Sequence, residues 1–171
     1  MSVPKRNRRV AGTYFVTSRT WESRLHFMKE SACQIFVDTL LHYRDQEVYS
    51  LYAFVLMPEH FHALLTPAPG TTLERAVQLI KGGSAHAIRK DSPSRIPVWQ
   101  RGFSDHRIRD HRDYEAHLRY IEGNPVKRRL VFAAEEYAWS SASARFAMDE
   151  PPQGLKPREG TRAFGTAEAV P

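Results

Sequence analysis

The apolar and polar positions of this chain change period several times, and each change marks an element. Residues 12–21 (GTYFVTSRTW) are rich in β-branched and aromatic side chains and predict a first strand. Over residues 29–45, Ala32, Phe36, Leu40 and Tyr43 recur at three- and four-residue spacing, as in an amphipathic helix. Residues 51–57 are then continuously apolar, turn at Pro58-Glu59 and return, which predicts a hairpin with strands near 48–57 and 60–66. A Pro-Gly loop, Pro67 to Gly70, closes it.

Thr71 followed by Glu74 reads as a capping box for a second helix with a stripe of Leu73, Ala76, Val77, Ile80, Ser84, Ala87 and Ile88. Gly82-Gly83 lies inside it. A glycine costs about 1 kcal/mol relative to alanine there, so either the helix breaks or something large approaches its backbone. Residues 98–109 (VWQRGFSDHRIR) predict a further strand, and Asp110 or Asp113 can cap a third helix running to Asn124, where Pro125 stops it. Residues 130–146, with Val131, Phe132, Tyr137 and Trp139, read as a short packed cover. The order β-α-β-β-α-β, then a helix, is an α+β, ferredoxin-like (RRM-like) pattern: an antiparallel sheet with helices on one face.

At 171 residues and 42% hydrophobic, the chain has enough apolar matter for one core. The expected organisation is a basic flexible arm over 1–10, one domain over 11–148, and a Pro/Gly-rich disordered tail over 149–171. The longest apolar stretch, Leu51 to Met57, is far short of the roughly 20 residues of a membrane helix, and no apolar segment follows the basic N-terminus. A cytoplasmic protein without a membrane partner is expected. The single cysteine, Cys33, excludes an internal disulfide and a thiolate metal cluster within one chain, which leaves histidine, asparagine and carboxylates to hold any ion.

The net charge of +6 favours a polyanionic partner. Its placement says more. Residues 1–10 hold Lys5, Arg6, Arg8 and Arg9 with no acid, and residues 101–129 hold eight basic against five acidic side chains. Both stretches suit phosphate contacts. Arg8, Arg9, Lys81, Arg101, Arg107 and Arg109 are the candidate strand-guiding cations, with Trp99 and Phe103 as candidate stacking surfaces.

The chemistry starts at His60 and His62, which alternation places on one face of a strand while Phe61 points to the other. Two neutral imidazoles there can aim at one ion. An H-x-H alone is more often a pair of satisfied histidines, so a third ligand is needed. A zinc deaminase would show H-x-E and P-C-x-x-C, and a zincin would show H-E-x-x-H on a helix; neither is present. In DYEAHLRYIEGNP, Tyr114, Leu118 and Ile121 form a core stripe, while Asp113, His117, Tyr120 and Asn124 share another face. The Asn124 carbonyl is a hard ligand suited to Mg²⁺ or Mn²⁺, and a tyrosine such as Tyr120 can be a covalent nucleophile. Taken without the hairpin, these two residues read more readily as a half-buried aromatic and a helix terminator.

MPEHFHALL, VWQRGF, YIEGNPV and YAWSS, in that order, resemble the single-tyrosine HUH transposases, specifically the REP-associated tyrosine transposases, over roughly residues 9–142. The resemblance implies a divalent metal, Mg²⁺ or Mn²⁺, on His60, His62 and Asn124, and Tyr120 as nucleophile. Asparagine as third ligand is the pattern of the REP-associated branch, where insertion-sequence relatives have glutamine. It also implies a ferredoxin-like endonuclease that cuts and rejoins single-stranded DNA at palindromic hairpins through a 5′-phosphotyrosine, acting as a monomer or homodimer. The competing class is a non-catalytic, RRM-like module binding single strands, which leaves the histidine pair unexplained.

Overall fold

The computed structural model describes residues 11–156. Four strands, β1 (Tyr14–Arg19), β2 (Tyr49–Met57), β3 (His60–Pro67) and β4 (Ser104–Arg107), form one antiparallel sheet in the order β2-β3-β1-β4. Helices α1 (Glu30–Asp45) and α2 (Leu73–Asp91) join the strands, and α3 (His111–Lys127) follows β4. The α+β architecture expected from the sequence is thus present.

The helices do not all lie on one face. Phe36 and Leu40 of α1 and Val77 and Ile80 of α2 pack with Phe54, Leu56 and Phe61 in one cluster. Tyr114 and Ile121 of α3 pack with Tyr52, Ala53, Val55, Met57 and Leu64 in a second. The reason is the composition of β2: LYAFVLM is apolar at every position, so both its faces must be covered. A register irregularity between Leu51 and Ala53 turns Tyr52 and Ala53 to the α3 side together.

Several boundaries move for local reasons. The cap of α2 is Thr72, not Thr71, its hydroxyl accepting from the Arg75 amide at 3.1 Å. Gly82-Gly83 does not break α2, because a Cβ on Gly83 would lie 3.0 Å from Thr39 and Tyr43 of α1: the glycine lets two helices approach. Asp110 caps α3, and the helix runs through Pro125 to Lys127 instead of stopping at Asn124. Pro125 removes one amide bond to the Ile121 carbonyl, a loss tolerated in a last turn with only two residues to follow. Of residues 98–109 only Ser104–Arg107 pairs as a strand, with Trp99 bridging to Thr20.

The segment after α3 closes the sheet's open edge at β2. Leu56 N–H donates to the Trp139 carbonyl at 2.9 Å, the Tyr137 hydroxyl donates to the Leu56 carbonyl at 2.8 Å, and Ser141 Oγ bonds the Phe54 backbone. The chain is also held past Asp149, where disorder was expected. Asp149 exchanges two hydrogen bonds with Leu51, and the Leu155 carbonyl accepts from His111 at 2.8 Å. The arm over 1–10 and residues 157–171 lie outside the described residues.

Candidate active site

The β2–β3 turn at Pro58-Glu59 delivers both histidines to the face under α3, while Phe61 packs on Phe36 and Trp99 opposite. His60 and His62 are both buried, and their Nε2 atoms are 3.1 Å apart. One ion bonded at about 2.0–2.2 Å to each nitrogen, at near-right angles, needs them about 3 Å apart. The outer nitrogens are occupied by the protein: His60 Nδ1 donates to Glu59 Oε1 at 3.1 Å, and His62 Nδ1 meets the Thr17 hydroxyl at 2.7 Å. That is the support metal-binding imidazoles require. Burial, above all, pushes the pKa of both rings down, that of His62 to about 3, with His60 and Arg19 adding to the effect at His62. Both are therefore neutral and able to bind a cation at pH 7.

Glu59 is buried and sits between His60 and the Arg128 guanidinium, which donates to Oε1 at 2.9 Å. Its other oxygen, Oε2, is buried without a hydrogen-bond partner among the described residues. The fit to a divalent ion rests on the imidazoles themselves: two buried, neutral rings with Nε2 atoms 3.1 Å apart and each outer nitrogen held by the protein.

Tyr120, 45% exposed, presents its ring 5.2 Å from that of His62 at 70°, and Phe15 wedges the same ring edge-on at 5.8 Å. Lys127 Nζ stands 6.0 Å from the Tyr120 ring centre. Asn124, one turn on, is buried at the sheet side of α3 with Ile121. His62 thus meets both Tyr120 and His60 under α3, and Asn124 is buried one turn beyond Tyr120. Thr17, Arg19, Glu59 and Arg128 were missed in the sequence. Glu59 adjoins His60 and could have been weighed from its position, whereas Thr17 and Arg19 meet the histidines only through the β1–β3 pairing.

The expected nucleic-acid contacts divide. Arg101, Arg107 and Arg109 are exposed, and Arg8 and Arg9 lie outside the described residues. Lys81 turns inward instead, donating to the Gln100 carbonyl at 2.7 Å and to that of Gly102, and burial pulls its pKa down to about 8. Trp99 is a core residue whose indole N–H donates to Ser84 Oγ at 3.0 Å, leaving no ring face for a base. Phe103 packs partly buried against the same core.

Residues 13–124 match the family described as "Transposase IS200 like". The chain belongs to this family. Its members are transposases, enzymes that cleave DNA. The chain is 27% identical over 131 residues to the REP-associated tyrosine transposase of Escherichia coli K12, covering 76% of each protein. Its fold matches that of a REP-associated tyrosine transposase solved bound to a REP hairpin, with a TM-score of 0.70 and 23% identity over 97% of this chain and 100% of that one. A candidate transposase from Deinococcus radiodurans R1 matches at a TM-score of 0.50 and 20% identity, over 71% of this chain and 97% of that one. Among the described residues no helix is long and apolar enough to cross a membrane.

Proposed function

We propose that this transposase cuts and rejoins single-stranded DNA at hairpin-forming repeats, with Tyr120 as nucleophile and His60, His62 and Asn124 holding Mg²⁺ or Mn²⁺. The observation that carries the reading is the exposed Tyr120 phenol edge-on to His62, whose Nε2 faces that of His60 at 3.1 Å. The hairpin substrate comes from the solved relative, which is bound to a REP hairpin. Such a substrate supports a cytoplasmic, nucleoid-associated protein.

In the proposed step the Tyr120 oxygen attacks phosphorus, the new O–P bond forms and the bond to the 3′ oxygen breaks. The phenol loses a proton and the departing 3′ oxygen gains one. The products are a 5′-phosphotyrosine and a free 3′-hydroxyl, and attack by another 3′-hydroxyl reverses the step on a new strand. The bond energy stays in the covalent link, so no nucleotide is consumed. When bound, a divalent ion polarises the phosphodiester oxygen and neutralises charge there. Thr17 and Glu59 orient the imidazoles, Phe15 fixes the Tyr120 ring, and the exposed Arg19 offers a guanidinium to the phosphate backbone. Arg101, Arg107 and Arg109 would follow the strand away from the site, with Arg8 and Arg9 from the N-terminal arm.

The test is to incubate the protein with single-stranded hairpins from the repeats flanking its gene, with and without Mn²⁺, and to resolve covalent adducts on denaturing gels. A metal-dependent adduct is expected. Hairpin binding with no adduct in either condition would transfer the protein to the class of non-catalytic single-strand binders.

A further inference from the structure

A second set of metal-ligating side chains lies under α3, apart from His60 and His62. His106 of β4 and Asp113 and His117 of α3 bring one ligand atom each to within 4.8 Å of one another. His106 Nε2 is 2.8 Å from one Asp113 oxygen, and His117 Nδ1 is 3.1 Å from the other. The two imidazoles lie nearly parallel, with ring centres 4.7 Å apart and planes 17° apart. Arg109 N–H donates to the same carboxylate at 3.0 Å, which holds it in place.

Capping does not account for this arrangement. Asp110 caps α3 by accepting from the Asp113 amide at 2.9 Å, and Asp113 accepts in return from the Arg109 amide beside the cap, which accounts for that one contact but not for the two imidazoles that converge on the same carboxylate. A carboxylate offers about four lone-pair directions. Two histidines and one carboxylate make a three-ligand set that leaves positions open on the ion, and nitrogen donors favour Zn²⁺ or Co²⁺ over Mg²⁺.

We propose that His106, Asp113 and His117 form a second divalent-cation site of the zinc class, tying the edge strand β4 to α3 three residues before Tyr120. The two sites do not share an ion, because the Phe15 ring stands between them, 5.1 Å from the His62 ring and 4.7 Å from that of His117. His117 Nδ1 now lies 2.8 Å from the Asp113 main-chain carbonyl. On binding, the ring proton sits on Nε2 in the other neutral tautomer, which leaves the Nδ1 lone pair for the ion. The site stands whether or not Tyr120 is a nucleophile.

The test is cobalt(II) titration of the chelator-stripped full chain, followed by visible absorption and by bound metal after equilibrium dialysis. Two ions per chain are expected in the parent protein, one in His60→Ala/His62→Ala and one in His106→Ala/His117→Ala. Asp113→Asn, which keeps the shape of the side chain, should weaken the second site at least tenfold. A folded His60→Ala/His62→Ala protein that binds no cobalt overturns the proposal and leaves the first site intact. Loss of the parent's sole ion in His106→Ala/His117→Ala would retain this site and remove the first. If either double variant fails to fold, unchanged stoichiometry and affinity in Asp113→Asn overturn the proposal.

Discussion

The Thr17 hydroxyl lies 2.7 Å from His62 Nδ1, leaving the far nitrogen of that ring to face His60. A hydroxyl both donates and accepts, so Thr17 can serve either tautomer of His62 and follow the proton when an ion arrives. Thr17→Val keeps the volume and the β-branch but removes this partner. We expect divalent-metal affinity to fall by about 10- to 100-fold with little loss of fold, the usual scale for an outer partner of a ligating histidine. Isothermal titration with Mn²⁺ measures it, and unchanged affinity would remove Thr17 from the site.

Glu59→Gln tests the other outer partner. The substitution keeps an acceptor for His60 but removes the negative charge that also meets Arg128. Cleavage of a hairpin substrate should drop about tenfold or more and recover in part at high Mn²⁺. A loss that no concentration of Mn²⁺ alters would make the Glu59–Arg128 pair structural.

The depressed pKa of His62, about 3 against an ordinary 6.5, gives a pH dependence of definite sign. Between these values the unfolded chain binds a proton that the folded chain refuses, so the contribution of His62 is fully present above pH about 6.5 and is lost as pH falls toward 3. The melting temperature of the metal-stripped protein should therefore fall from pH 7 to pH 4, and less steeply in His62→Gln. Parallel curves for the two proteins would contradict the burial argument.

The adjacent glycines of α2 should respond oppositely to alanine. A Cβ at Gly82 meets nothing within 4 Å, so Gly82→Ala should stabilise by about 0.5–1 kcal/mol through helix propensity. At Gly83 the Cβ presses on Thr39 and Tyr43 at 3.0 Å, and Gly83→Ala should destabilise by about 1–3 kcal/mol. Urea denaturation of both variants checks the pair.

These contrasts also mark what could be read from the sequence. Strand alternation has a rigid period of two, so His60 and His62 were placed together and Phe61 opposite without a structure. The shared face of Asp113, His117, Tyr120 and Asn124 followed from helical spacing in the same way. What spacing cannot supply is the partner from another element. His106 meets Asp113 only because β4 pairs at the sheet edge, and Lys81 reads as a surface cation until the loop carbonyls it binds are in place. The position of α3 was legible in principle: a strand as apolar on both faces as LYAFVLM requires cover on both.

The most direct test of the account is mass spectrometric mapping of the covalent adduct formed with a single-stranded hairpin in Mn²⁺. The nucleotide mass should appear on the peptide carrying Tyr120, and Tyr120→Phe should bind the hairpin with near-parent affinity but form no adduct. An adduct on any other residue, or one that persists in Tyr120→Phe, would contradict Tyr120 as the nucleophile.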